Sequence, residues 1–190
     1  MFLKRIGKKL GLLTAILLLG CSAFAGSDNS TDYVSPWRDF SCTLPKGWVA
    51  FSEKDQMGYV VHILGPDDPT GVYRTGIDIH WFDSSRPGFV PLTKAVEGMR
   101  ASDSLTGRSS TLLRVVRGAD TFARMFEINE NRWLPSERLP SIKKHLHSYV
   151  AILPRGRSYW IITLSSTRSV YLDYRDTFID FLRSFNPMGY

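Results

Sequence analysis

The 190-residue chain has only two cysteines and four histidines. Two cysteines exclude a disulfide-dense scaffold and a four-thiolate zinc or iron–sulfur centre. There is no Gly-x-Ser-x-Gly elbow, no P-loop, no Gly-x-Gly-x-x-Gly, no His-Glu-x-x-His and no Cys-x-x-Cys, so the common hydrolase, nucleotide, metalloprotease and thiol-redox signatures are missing. Four histidines allow a Ser-His-Asp triad by number, but no local motif supports one. Long apolar runs are missing too, except at the N-terminus. With 43% hydrophobic and 22% charged residues, the chain is neither disordered nor collagen-like, and its length suits one domain.

The N-terminus reads as an export signal. Lys4, Arg5, Lys8 and Lys9 precede an apolar stretch from Leu10 to Leu19. At roughly ten residues it is too short for a permanent transmembrane helix. Two cleavage patterns follow. Ala23-Phe24-Ala25 suits ordinary signal peptidase, whereas Leu18-Leu19-Gly20-Cys21 resembles a bacterial lipobox, in which Cys21 takes a lipid and becomes the new N-terminus. The expected division is a signal over 1–25 (cleavage before Cys21 or after Ala25), a small polar leader over 26–36 and one domain over 37–187. The location expected is the periplasm, on a lipid anchor if Cys21 is modified, and otherwise soluble or secreted.

Removing the four basic signal residues changes the electrostatics. Of 24 basic residues 20 remain against 18 acidic ones, a net charge of +2 rather than +6. A nucleic-acid partner, which needs a basic face on the folded domain, is not expected. Cys42 is then the only thiol of the domain, in a strand-like alternation from Asp39 to Leu44.

From Asp39 on, short alternating runs predict strands over 39–44, 48–52, 58–64 and 72–82, punctuated by Pro45-Lys46-Gly47 and Gly65-Pro66-Asp67-Asp68-Pro69. After Pro91 the period changes. Leu92, Ala95, Val96 and Met99 form one helical stripe, ended by Ser102-Asp103-Ser104. Two hairpins follow, 111–116 with 121–128 and 145–153 with 158–165. A last helix carries Val170, Tyr171, Tyr174, Phe178, Phe181, Leu182 and Phe185 and stops at Asn186-Pro187. The order ββββ-α-ββββ-α, with adjacent hairpins, predicts an α+β fold: a twisted antiparallel sheet with helices packed on it.

Several segments carry a family resemblance. Phe40-Ser41-Cys42-Thr43-Leu44-Pro45-Lys46-Gly47-Trp48, the run Gly156-Arg157-Ser158-Tyr159-Trp160-Ile161-Ile162-Thr163-Leu164, and the closing helix with Phe178, Phe181-Leu182 and Ser184-Phe185 resemble the PsbP-like superfamily, which includes DcrB-type bacterial envelope lipoproteins. The resemblance spans roughly residues 38–186. It implies an α/β/α sandwich and an accessory or binding role without catalysis. It assigns no functional residue and no cofactor.

Two candidate sites remain. His145-Leu146-His147 places two imidazoles on one strand face, where i and i+2 align. Asp78 and His80 share a face in the same way, so the four would form a metal site if their strands adjoin; a periplasmic metal-dependent enzyme or a small-ligand binder is the alternative function. The stretch Asn129–Lys144 is expected as a long loop, and Arg132, Trp133, Leu134 and Arg138 in it are the candidate contacts with an envelope protein, since Trp and Arg dominate interfaces. Asp67-Asp68 reads as a solvated turn.

Overall fold

Alternation drives most of this chain into antiparallel hairpins, and one of them, Phe122–Leu134 with Ile142–Arg155, is longer than the sequence implies. A computed structural model describes residues 31–54, 58–113, 115–117, 122–134 and 140–188. The elements in chain order are β1 (Thr31–Val34), β2 (Phe40–Leu44), β3 (Val49–Lys54), β4 (Gly58–Asp67), β5 (Arg74–Phe82), α1 (Leu92–Arg100), β6 (Ser109–Leu112), β7 (Val116–Arg117), β8 (Phe122–Leu134), β9 (Ile142–Arg155), β10 (Ser158–Thr167), α2 (Arg175–Ser184) and β11 (Asn186–Pro187). The main sheet runs β3-β4-β5-β10-β9-β8-β6, with β7 beside β8; β1, β2 and β11 form a second, small sheet. Every pairing is antiparallel. The α+β class is as the sequence predicts.

Each face of the main sheet buries its own core. On the first face Val61, Ile63, Ile77, Ile79, Tyr149, Ala151, Trp160, Ile162 and Leu164 meet Phe178, Phe181 and Leu182 of α2, with Phe185 beyond it and Phe40 of β2. Phe40 and Phe185 stack at 4.9 Å. Each such side chain contributes about 1.5–3 kcal/mol by leaving water. On the second face Phe126, Val150, Ile152, Tyr159 and Ile161 pack under Leu92, Ala95, Val96 and Met99, the stripe expected of α1. No residue of α1 is fully buried. Its C-terminal end is capped from outside: the Arg108 guanidinium donates to the carbonyls of Gly98 (3.1 Å) and Ala101, where a cation suits the helix dipole.

Three expectations are corrected. Residues 31–34 are not leader. They pair with β2, across a turn in which Ser35 N donates to Phe40 O at 3.0 Å and Arg38 takes φ 55°; Trp37 from the same turn stacks on Tyr59 at 3.8 Å. The last helix starts late. Residues Tyr171–Tyr174 form a tighter 3-10 turn, because Tyr171 turns onto His147 and Tyr174 onto Trp48. The loop over 129–144 is mostly strand: β8 continues to Leu134 and β9 begins at Ile142, with Trp133 opposite Lys143 and Arg132 opposite Lys144. Cys21 and the signal lie outside the described residues.

Candidate functional site

Extension of the β8–β9 hairpin puts polar residues in register that the sequence separates. Asn131 faces His145, Asn129 faces His147, and Ser109 of β6 faces Asn129. Ser166 of β10 continues the row on the far side of His147. Where neighbouring positions along these strands hold Ala151, Met125 and Leu164, this end holds hydroxyls, amides and imidazoles. The core of the first face thus gives way to a polar cleft of about 320 Å³, lined by Gly107, Ser109, Glu127, Asn129, His145, His147, Arg168 and Tyr171.

Two devices shape the walls. Past the end of β10 the Arg168 amide donates to the His145 carbonyl at 2.9 Å, which brings the chain back over β9. Tyr171 then stacks on the His147 ring at 3.7 Å. Opposite, Asn131 is fixed by two bonds to the Thr106 carbonyl, N at 2.8 Å and Nδ2 at 3.1 Å. Gly107 closes that corner with φ +62°, and a Cβ there would stand 2.8 Å from Asn131 Nδ2.

His147 is 3% exposed. Burial, then the charges of His145 and Arg168, push its pKa down to about 4. Glu127 Oε1 stands 2.8 Å from Nε2. The contact is off-axis for a hydrogen bond, however, and Nε2 has none among the described residues; burial dominates and the ring is neutral at pH 7. His145 Nε2 is likewise buried without a hydrogen bond among the described residues, as is the Ser166 hydroxyl. Buried polar atoms without partners are uncommon and costly, and here three neighbours share the condition.

The four-residue metal site is not assembled. Asp78 pairs across β10 with Thr163 and thence Val150, on the second face, whereas His145 and His147 lie on the first. Because side chains alternate at every residue, the parity of the register separates the two pairs by the whole thickness of the sheet. Asp78 instead accepts from His62 Nδ1 at 2.7 Å, and His62 Nε2 meets Glu53 at 3.2 Å; the His80 ring sits edge-on to Phe82. Among the described residues no three His, Cys, Asp or Glu side chains gather as a metal requires.

The hairpin candidates are placed in part. Trp133 is 63% exposed near the end of β8. Arg132 is tied to Glu130 at 2.5 Å. Leu134 ends the strand and Arg138 lies outside the described residues. The Asp67-Asp68 turn is half solvated only: Asp67 pairs with Arg74 at the surface, while Asp68 is buried against Lys144 at 3.0 Å.

Sequence reasoning missed Glu127, Asn129, Arg168 and Tyr171. A usable signal existed, since Asn129-x-Asn131 and His145-x-His147 alternate with the same period, but a loop placed between them hid it.

No family model matches the chain, and no curated protein sequence matches it. Among solved structures the chain is similar to the solution structure of cyanobacterial PsbP (CyanoP) from Synechocystis sp. PCC 6803, with 12% identity, a TM-score of 0.44, and coverage of 90% of this chain and 99% of that one. It is also similar to the crystal structure of LpqN, involved in cell envelope biogenesis of Mycobacterium tuberculosis, with 8% identity, a TM-score of 0.44, and coverage of 85% of this chain and 91% of that one.

Proposed function

We propose that this chain is an exported envelope protein, lipid-anchored through Cys21, that acts by binding rather than by catalysis, and that its ligand seat is the polar cleft around His145 and His147. The observation that carries the binding seat is that both cleft-lining histidines have a buried ring nitrogen without a hydrogen bond among the described residues. A bound ligand would supply what the fold leaves unmet. Export rests on the basic and apolar N-terminal segment, and anchoring on the Leu18–Cys21 box. The metal-dependent enzyme loses its support, since the four side chains it needs stand on opposite faces.

A protein partner is favoured by a separate observation, the exposure of Trp133 near the end of β8. Apolar area held out beside Arg132 and Lys143 suits an interface anchor. Thermal unfolding against a panel of small polar solutes tests the seat. A ligand at one hundred times its Kd stabilises by about 2.7 kcal/mol, or roughly 5–10 °C in a chain of this size. That shift should vanish in His145→Ala. A shift unchanged in His145→Ala would place binding elsewhere.

A further inference from the structure

Glu127, His145 and His147 line the cleft together. Glu127 is a carboxylate and accepts only. His147 is neutral, and a neutral imidazole protonated at Nδ1 presents a lone pair at Nε2. That nitrogen stands 2.8 Å from Glu127 Oε1 without a hydrogen bond between them among the described residues, a spacing that one donor reaching both atoms would satisfy. His145, whose Nε2 is also buried without a hydrogen bond among the described residues, lines the same cleft.

Two kinds of cation satisfy three acceptors. A metal ion needs them about 2.0–2.2 Å from a single point, and no such group exists among the described residues. A primary ammonium has three N–H donors and holds its partners at about 2.7–3.2 Å. The Glu127 and His147 atoms, 2.8 Å apart, can both accept from one such group. Arg168, which is exposed, also lines the cleft. Its guanidinium makes no ion pair with a carboxylate of the described residues, and its planar fork fits a ligand carboxylate in two-point contact. Glu127 and Arg168 thus bring one charge of each sign to the lining of a single small cleft.

We propose that the cleft binds a zwitterionic amino acid, its ammonium held by Glu127 with the His145 and His147 rings and its carboxylate by Arg168. The inference rests on the cleft being the binding seat.

The test is titration of the whole exported chain with L-alanine, ethylamine, acetate and zinc chloride, followed by the imidazole NMR signals of His145 and His147 and by calorimetry. L-Alanine should move both ring signals. Glu127→Gln should weaken alanine and ethylamine at least tenfold each. Arg168→Met should weaken alanine at least tenfold and leave ethylamine unchanged, a split that a merely unfolded variant would not give. Alanine binding indifferent to both substitutions overturns the proposal. So does zinc binding at the rings with alanine inert, which would make the seat a metal site. A saccharide or phosphate that moves the rings while alanine does not overturns the ligand class and leaves the seat standing. Rings that respond to no solute remove both.

Discussion

Asp68 offers the sharpest test of the way this fold is held, because its carboxylate joins the β4–β5 turn to the strand that carries both cleft histidines. Its side chain is 1% exposed. Oδ1 accepts from the amides of Val72 (3.0 Å) and Tyr73 (3.2 Å) and from the Thr70 hydroxyl (2.9 Å). Oδ2 meets Lys144 Nζ at 3.0 Å, and Lys144 is 15% exposed and adjacent to His145. Burial alone would raise this carboxyl. The backbone amides, Lys144 and Thr70 outweigh it and hold the pKa at about 2, against 3.8 for a free aspartate. At 1.36 kcal/mol per decade that is about 2.4 kcal/mol, reduced to about 1–2 kcal/mol because a single turn of chain separates the pair from solvent. A lowered folded pKa means the unfolded chain binds the proton more tightly. The stabilisation is therefore present above about pH 4 and lost as pH falls toward 2. Asp68→Asn should lower stability at pH 7 by about 1–2 kcal/mol in urea unfolding, and the gap to the parent should close near pH 2. Asp68→Ala also orphans two amides and a nearly buried ammonium, and should cost about 3–4 kcal/mol. Asp67→Ala, which breaks only a surface pair with Arg74, is the control. An Asp68→Ala midpoint indistinguishable from that of Asp67→Ala would mean that the buried carboxylate holds the fold no better than a surface ion pair.

Other outcomes follow from single contacts. A methyl on Gly65 would stand 2.5–2.9 Å from three carbons of the Trp48 indole, a rigid ring that cannot fold away, so Gly65→Ala should cost about 1–3 kcal/mol in denaturant unfolding. Burial, with help from Asp32, pushes the Cys42 thiol up to about 12; at pH 8 it should resist a thiol reagent in the native protein and react only in denaturant. His147, held at about 4 against 6.5 unfolded, binds its proton more weakly in the folded state, so stability should fall as pH drops from 6.5 to 4, by no more than about 3 kcal/mol, and His147→Gln should flatten that slope in urea titrations. Trp133→Ala should leave the urea midpoint within about 0.5 kcal/mol, while crosslinking to an envelope protein in cells of the host is lost.

What could be read from the chain without its structure was what strong local periodicity controls. The 92–99 stripe and the 178–185 stripe announce helices because an apolar residue every three or four positions has one way to reach a core. The alternation at Ile77, Ile79 and Trp81 announces a strand for the same reason. The cleft depends instead on register, which is a long-range quantity. Whether Glu127 lies beside His147 is decided by the length of the β8–β9 turn, and a polar stretch such as Asn129–Arg132 reads as loop when the pairing strand opposite it is equally polar. The separation of Asp78 and His80 from His145 and His147 has the same origin: adjacency of β5, β10 and β9 was not enough, since one residue of parity sends a side chain to the other face. The strand at 31–34 escaped notice because a short edge pairing needs little apolar residue content. Asp68 escaped because a buried carboxylate in a Gly-Pro-Asp-Asp-Pro turn depends on a lysine 76 residues away in the chain.

The most direct measurement is the imidazole NMR spectrum of His145 and His147 in the exported chain, purified from its own host and compared before and after unfolding and refolding in clean buffer. A ligand seat predicts that the two ring signals differ between the preparations, and that the small-molecule fraction released on unfolding restores the original positions. Ring signals that are identical in both preparations and unmoved by that fraction would contradict it, and would leave the two buried nitrogens as unpaired atoms of the fold with no part in binding.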